Sequence, residues 1–292
     1  MEGHQSDPVK PRRFLKNSMN PYFISDPAVI SFSGGATSAF MLRQIIDAHG
    51  GKLPDHVLVA FANTGLEHPK TLDFIERCSI EWGVDVNWLE YTGKEGEKFK
   101  EVNYATASRN GEPFAKLIKE RNYLPNPVTR FCTVELKIRT IDRWANEQKK
   151  MADGHIELIG LRYDEPRRVH RIKANSRRNE AYCPMYDARH TLEDVTKFWK
   201  NNSFRLEIEQ LYGNCVGCFL KGAGKISRIA TEHPEFLQWW SNAEKTLVQT
   251  DRPQNARFRH DRPSYAGLLE MAKSQNAFDF ADDDTLPCNC TD

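Results

Sequence analysis

The sequence predicts an α/β fold with a doubly wound, mostly parallel sheet and a helical appendage at its C-terminal end. Short apolar or β-branched runs alternate with segments of helical period, and a turn rich in glycine or polar residues follows several of these runs. The chain has 292 residues, of which 39% are hydrophobic and 28% charged, so it can bury one sizeable core and is typical of globular proteins.

The predicted elements follow one another in a regular order. They are a strand over 28–32, a helix over 36–48, a strand over 56–61, a helix over 70–82, a strand over 85–89, a helix over 134–150 and a strand over 156–161. Thr191 and Asp194 have the spacing of a capping box and predict a helix through Trp199, and a further helix is expected over 234–247 with an aromatic cluster in the core. Strands joined by helical crossovers are parallel, and ligands bind beyond their carboxyl ends.

The segment from Ser33 to Ser38 passes from the first strand through a Ser/Gly turn into a helix, which predicts an anion-binding loop. Gly34 and Gly35 lack a Cβ, so the backbone can adopt positive φ and bring N–H groups close to an anion. Thr37 and both serines add hydroxyl donors, and the helix adds its unpaired first N–H groups. The alternative is an ordinary strand–turn–helix junction with a serine N-cap.

Polar residues also follow two other predicted strands. Thr64 and Gly65 come after the second strand, and a charged segment with Arg162, Asp164 and Arg168 comes after the last. Arginine binds phosphate or sulfate through two parallel hydrogen bonds, and a carboxylate can hold Mg²⁺ or accept a ribose hydroxyl. We expect these residues to converge with the loop on one crevice; a solvated charged loop is the alternative.

Seven cysteines in a chain without a secretion signal favour metal binding or redox chemistry over disulfides. Cys215 and Cys218 form a CxxC knuckle, while Cys132 and Cys183 lie at irregular points between periodic segments. Four thiolates can bind one [4Fe-4S] cluster or one zinc ion, and spacing alone does not choose between the two. Lys137 would place its ammonium group between the four-cysteine site and the anion bound by the Ser33–Ser38 loop. The alternative is an ordinary surface lysine.

Taken together, these motifs resemble the phosphoadenosine phosphosulfate (PAPS) reductase family of the PP-loop, or adenine nucleotide α-hydrolase-like, superfamily. The resemblance covers about residues 28–222 and rests on the segments 33–38, 61–71, 130–137, 160–168 and 215–218. The sequence looks similar to the branch that includes phage-encoded relatives and the DNA phosphorothioation protein, in which spaced cysteines carry a [4Fe-4S] cluster.

The resemblance implies a nucleotide site and an activity. ATP or a related adenine nucleotide would have its phosphates at Ser33, Gly34, Gly35 and Ser38 and its adenosine near Thr64 and Gly65. The four cysteines would hold a [4Fe-4S] cluster, with zinc as the alternative. The implied enzyme either adenylates a substrate and transfers sulfur or reduces a sulfonucleotide. One departure bears on Mg²⁺, because many ATP-splitting relatives have an acidic residue where this chain has Thr37.

The C-terminal tail carries a second cysteine pair, Cys288 and Cys290, after an acidic stretch. PAPS reductases carry a nucleophilic cysteine on such a tail, so we expect one thiolate to attack a sulfur centre and its neighbour to resolve the intermediate. The usual Glu-Cys-Gly motif is absent. Inert thiols in a disordered tail are the alternative.

Charge and hydropathy limit the expected partners. The net charge is +1, so nucleic-acid binding can only be argued from local patches, of which Arg162–Arg178 and Arg252–Arg262 are candidates. No apolar run is long enough to cross a membrane and no signal core is present, which predicts a cytoplasmic protein. A sulfur or electron donor protein is a further expected partner.

The expected organisation has four parts: an N-terminal arm over 1–25, the PP-loop domain over 26–190, a helical region over 191–275 that carries the CxxC knuckle, and an acidic tail over 276–292. The alternative function is a non-catalytic nucleotide or nucleic-acid binding protein whose cysteines hold zinc structurally.

Overall fold

The computed structural model describes residues 20–93, 95–151, 154–175, 179–248 and 256–274. The strands are β1 (Ala28–Ser31), β2 (Val57–Asn63), β3 (Val86–Tyr91), β4 (Phe99–Val102), β5 (Ile156–Ile159) and β6 (Glu180–Tyr182). They form one sheet in the order β4-β3-β2-β1-β5-β6, and every neighbouring pair is parallel except β3 with β4. This arrangement confirms the predicted mostly parallel α/β fold.

Helices surround the sheet and continue beyond it. They are α1 (Ala36–Ala48), α2 (Pro69–Trp82), α3 (Glu112–Arg121), α4 (Arg139–Glu147), α5 (Pro166–Asn175), α6 (Pro184–Asp187), α7 (Leu192–Lys200), α8 (Ala223–Glu232), α9 (Glu235–Val248) and α10 (Tyr265–Lys273). A π-helical turn over Thr133–Ile138 precedes α4, and 3-10 turns occupy Lys149–Met151 and Gln210–Tyr212. No helix among the described residues is long and apolar enough to span a bilayer.

The strand β1 is covered on both faces, which is why its sequence is apolar without alternation. On one face Ile30 belongs to a cluster with residues of α1, α2 and α7, such as Phe40 and Trp199. On the other face Val29 packs with Trp144 of α4. Helix α7 begins with the predicted capping box, in which Asp194 accepts hydrogen bonds from the backbone N–H and the hydroxyl of Thr191.

The order of the strands creates a switch point beside β1. The chain adds β2 and β3 on one side of β1 and later adds β5 on the other side. The connections after β1 and after β5 therefore leave the same edge of the sheet in opposite directions, and a crevice opens between them.

The helix predicted over 134–150 is divided. Its first turn is π-helical, and the hydroxyl of Thr140 donates to the carbonyl of Glu135, five residues earlier, at 2.8 Å. The carboxylate of Glu135 is nearly buried and pairs with Arg121, Arg139 and Arg143. The wide turn thus brings a buried carboxylate among three arginines, an arrangement that hydrophobic periodicity does not reveal.

The C-terminal helices share an apolar cluster with α3, where Phe114 packs with Leu237 and Trp240. The predicted core role of the aromatic cluster is therefore confirmed. The prediction of a basic surface over Arg252–Arg262 is wrong for two of its arginines. Arg259 and Arg262 are buried, and their charges and N–H groups have partners inside the protein. Arg259 pairs with Asp261, and both arginines donate to backbone carbonyls.

Candidate active site

The loop after β1 holds its shape through glycine and serine. Gly34 has φ +77°, and a Cβ there would lie 2.6 Å from Ile75 Cδ1, so only glycine fits. Gly35 has φ −83° as the N-cap of α1, so the expectation of positive φ is wrong for this residue. Its N–H donates to Ser33 Oγ at 3.3 Å, and the hydroxyl of Ser38 donates to its carbonyl at 3.0 Å. The hydroxyls of Ser33 and Ser38 lie 2.9 Å apart.

The start of α1 is suited to an anion. Its N-cap is Gly35, which has no side chain that could cap the helix. The first N–H groups of α1 and the positive end of its dipole are of the kind that binds anions. The anion-binding role of this loop stays a prediction, with which the geometry at Gly34 and the start of α1 is compatible.

The segment after β5 meets this loop. The guanidinium of Arg162 donates to Thr37 Oγ1 at 3.1 Å, across 125 residues of sequence. At Gly160, a Cβ would lie 3.2 Å from the Cα of Ser38, so the two backbones are in close contact. Sequence reasoning expected these segments to converge, and the structure brings them together.

The charge of Arg162 is balanced locally. This residue is 8% exposed, its Nε donates to Asp164 at 3.1 Å, and its Nη2 lies 3.4 Å from a carboxylate oxygen of Glu165. The same Glu165 also pairs with Arg168. A buried cation between two carboxylates costs less desolvation than an isolated one, which allows the guanidinium to lie against the loop.

The segment after β2 forms a second wall. Thr64 is buried and donates its backbone N–H and its hydroxyl to Glu67 at 3.0 and 2.9 Å. Gly65 has φ +78°, and a Cβ there would lie 2.8 Å from the backbone nitrogen of Gly111. Sequence reasoning missed Glu67, although its place three residues after a threonine matches the capping-box spacing that identified Asp194.

Glu90, a second residue that sequence reasoning missed, links the ends of β2 and β3. Glu90 is fully buried, and its carboxylate accepts from the side chain of Asn63 at 2.6 Å and from the backbone and hydroxyl of Ser108 at 2.6 and 2.8 Å. Lys100 lies 3.0 Å from it. A glutamate inside an otherwise apolar strand was the available signal.

The CxxC knuckle packs against this second wall. Cys215 pairs with Glu67 in an isolated antiparallel bridge, and its sulfur lies 3.3 Å from the hydroxyl of Thr64. Lys137 Nζ lies 3.6 Å from the carboxylate of Glu67. Burial raises the pKa of the Cys215 thiol, the charge of Glu67 raises it further, and Lys137 opposes both. A Cβ at Gly217 would meet the indole of Trp240 at 2.2 Å, so this glycine is required.

The structure does not assemble the four predicted cysteine ligands. Cys132, Cys215 and Cys218 pack against one apolar cluster. Cys183 is fully buried in another with Leu161, at the end of β6, and burial raises its pKa to about 12. Because β6 is three strands away from β2, roughly 14 Å separates the two strand ends.

Within the described part of the chain, no three His, Cys, Asp or Glu side chains lie close enough together to hold a metal ion. In this arrangement the residues present do not form a four-thiolate site. Cys288 and Cys290 lie outside the described residues, as do Arg252 and Arg178.

Comparisons with known proteins identify the family of this chain. A family model described as the phosphoadenosine phosphosulfate reductase domain matches residues 27–221. The uncharacterized nin region protein of Escherichia phage lambda is 27% identical over 226 residues, covering 72% of this chain and 71% of the phage protein. An uncharacterized protein of Methanocaldococcus jannaschii is 22% identical over 245 residues, covering 81% of this chain and 45% of its own length.

Two solved structures resemble the fold at low similarity. A PAPS reductase from Candida auris, in a phosphate complex, has a TM-score of 0.40 at 16% identity and covers 62% of this chain and 76% of its own. A U34-tRNA thiolase from Methanococcus maripaludis, solved with its [4Fe-4S] cluster, has a TM-score of 0.42 at 13% identity and covers 87% of this chain and 72% of its own.

Proposed function

We infer a function from the premise that this chain belongs to the phosphoadenosine phosphosulfate reductase domain family, since the family model matches two thirds of its length. We propose that it is a PP-loop enzyme of sulfur chemistry that binds an adenine nucleotide in the crevice between β1 and β5. The observation that carries this proposal is the meeting of the two strand ends, where Arg162 reaches Thr37 beside the start of α1.

The proposed site divides the nucleotide between two walls. The phosphates lie at Ser33, Gly34, Gly35 and Ser38 and receive N–H groups from the first turn of α1. The adenosine lies toward Thr64 and Gly65, because these residues end the neighbouring strand β2. Arg162 and Arg168 supply guanidinium donors at the edge of the crevice, where Asp164 and Glu165 balance their charge, and Asp164 is the carboxylate that would hold a Mg²⁺ ion brought in with the phosphates.

With ATP as the substrate, an acceptor oxygen attacks the α-phosphorus, the bond to the β-phosphate oxygen breaks, and pyrophosphate leaves. A sulfur nucleophile then displaces AMP from the activated acceptor and forms the new carbon–sulfur bond. The residues of this chain contribute positioning and charge: the loop orients the phosphates, and the arginines stabilise the charge that develops on the leaving group.

Reduction of a sulfonucleotide is the second candidate, and one contact favours it. The position where many ATP-splitting relatives carry a carboxylate is Thr37, which accepts a hydrogen bond from a guanidinium. A cation at this position suits a sulfate or phosphate that arrives without Mg²⁺. In this reaction a thiolate of Cys288 or Cys290 attacks the sulfur, the nucleotide phosphate leaves, and a second thiol releases sulfite as the disulfide forms.

Isothermal titration calorimetry with ATP, AMP, PAPS and adenylyl sulfate tests the proposal. We expect binding of at least one phosphorylated adenine nucleotide, and loss of this binding in Arg162→Met. Pyrophosphate release would then identify ATP activation, whereas sulfite release that is abolished by Cys288→Ser with Cys290→Ser would identify reduction. No binding of any of the four nucleotides would refute the proposed site and favour the alternative, a non-catalytic nucleic-acid binding protein whose cysteines hold zinc structurally.

Metal content is a separate question, and the cysteines allow a matched test. We propose that a [4Fe-4S] cluster or zinc takes its ligands from Cys132, Cys215 and Cys218, which pack against one apolar cluster and have to move closer together to bind it, since no three such side chains are grouped for a metal among the described residues. Cys183 serves the core. In anaerobically purified protein, Cys215→Ser is expected to lose bound iron or zinc, and Cys183→Ser to keep it. Equal metal loss in both variants would return Cys183 to the ligand set.

A further inference from the structure

A cavity outside the nucleotide crevice lies between the loop before the π-helical turn and helix α5. Its volume is about 420 Å³, and its lining residues are Pro127, Val128, Thr129, Arg130, Phe131, Val134 and Arg171. Val128 is 91% exposed and Val134 is 38% exposed, so apolar side chains reach the solvent at its rim. The cavity therefore combines an apolar lining with two guanidinium groups.

The surroundings of this cavity are strongly basic in a chain that is nearly neutral. The segments 121–143 and 162–173 contain ten Lys or Arg residues against four Asp or Glu residues, while the whole chain has a net charge of +1. Three of the acidic residues are already paired: Glu135 with Arg121, Asp164 with Arg162, and Glu165 with Arg168. Arg167 and Arg171 are exposed on α5. Lys137 and Lys173 pair with Glu67 and Asp187, which lie outside these segments, so the positive charge of this face is centred on the arginines of α5 and of the loop over 127–134.

Aromatic rings flank the same helix. Tyr163 is 45% exposed immediately before α5, and its ring centroid lies 5.5 Å from that of Tyr186. The guanidinium of Arg189 lies 6.0 Å from the ring of Tyr163, and Lys173 Nζ lies 5.7 Å from the ring of Tyr186. An exposed ring among cations is suited to stacking on a flat group that is attached to a negative charge.

We propose that this cavity, the exposed face of α5 and Tyr163 form a docking surface for single-stranded nucleic acid. Arginines would bind successive phosphates, Tyr163 would stack on a base, and the apolar cavity would receive another base. A duplex keeps its bases stacked inside and offers no free base face to Tyr163 or to this open apolar depression, so a single strand fits better. An acidic peptide would satisfy the arginines but supplies no flat group for the tyrosine.

Fluorescence anisotropy tests this surface without any nucleotide, so its outcome is independent of the proposed function. The probes are a labelled single strand of about 20 nucleotides, as RNA and as DNA, and the matching duplex. Arg171→Glu and Tyr163→Ala are each expected to weaken single-strand binding about fivefold or more. Lys245→Glu makes the same change of charge on the exposed face of α9 and is expected to leave binding unchanged.

The salt dependence gives a second measurement. The slope of log affinity against log salt concentration is expected to fall by about 0.7 for each phosphate contact that is lost in Arg171→Glu. Circular dichroism of each variant confirms that it is folded. Equal binding by Arg171→Glu and Lys245→Glu, duplex binding as tight as single-strand binding, or absence of binding at about 50 mM salt would each overturn the proposal.

Discussion

Gly34 offers a sharp test of how the anion-binding loop is built. The residue has φ +77°, and in Gly34→Ala the new Cβ would lie 2.6 Å from Ile75 Cδ1 and 2.8 Å from Thr71 Cγ2. Both contacts are with side chains of α2, which packs behind the loop. Alanine therefore introduces backbone strain and a steric clash together.

The two costs can be separated by comparison with a second glycine, at the end of α2. Gly83 ends α2 with φ +58°, and a Cβ there would meet no atom within 4 Å. Gly83→Ala therefore carries the backbone strain alone, about 1–2 kcal/mol. Gly34→Ala adds overpacking of about 1–3 kcal/mol, for a total of about 2–5 kcal/mol in the free energy of unfolding. Part of this cost can be relieved by displacement of the loop, which would impair the proposed nucleotide site.

Urea denaturation measures the free energy of unfolding, and calorimetry with ATP measures binding. We expect Gly34→Ala to lose more stability than Gly83→Ala and to bind ATP at least about tenfold more weakly, a factor that corresponds to about 1.4 kcal/mol. Gly83→Ala is expected to bind ATP normally. If both variants lose the same stability and both retain ATP binding, the close contact between the loop and α2 does not shape the site.

Three further predictions concern charge. Arg162→Met is expected to weaken nucleotide binding at least about tenfold, since a charge-assisted hydrogen bond contributes about 1.5–3 kcal/mol, while the exposed Arg167→Met serves as the calorimetric control. Burial raises the pKa of Glu157, so its charged form destabilises the fold; Glu157→Gln is expected to increase the unfolding free energy at pH 7, with a gain that shrinks as the pH falls toward 4.5. Hydrogen bonds from Thr191 lower the pKa of Asp194, so Asp194→Ala is expected to cost about 1 kcal/mol at pH 7, and this cost is expected to fade in pH titrations below 3.8.

The elements that sequence alone predicted best are those with a continuous buried face. The strand β1 is covered on both faces and α1 presents a wide apolar face, so the predicted bounds differ from the observed ones by at most one residue. Helix α7 was found for a different reason, because Thr191 and Asp194 encode its first turn locally. Both signals lie within a few residues of the element that they specify.

Helix α5 shows why other elements were missed. It buries Val169 and half-buries Ile172 against the sheet, and the rest of its described surface is largely basic. Two inward positions give a weak periodic signal, so the sequence indicates only a charged patch there. The stability of α5 comes from packing against β5 and β6, and a propensity-based prediction cannot supply such tertiary contacts. Pro166 at its first position was the remaining local signal.

The cysteines show the same limit within the site. Their spacing along the chain does not show whether the four predicted ligands converge, because separations of tens of residues acquire meaning only through the fold. The strand order then places Cys183 beyond β5, whereas the bridge between Glu67 and Cys215 places the knuckle beside β2. The sheet topology, which no local motif encodes, decides which thiols can bind one metal ion or cluster.

Thr37 shows most clearly how the fold sets the chemistry of the loop, because its role depends on a residue 125 positions later. Considered alone, it marks the absence of a carboxylate from a phosphate loop. In the fold, its hydroxyl accepts a hydrogen bond from Arg162, which brings Asp164 and Glu165 to the same place. Carboxylates are thus present beside the loop, but they arrive from the end of β5 and already neutralise a guanidinium. A metal ion at this position would have to compete with that ion pair, so the chemistry of the loop is set by both strands of the switch point together.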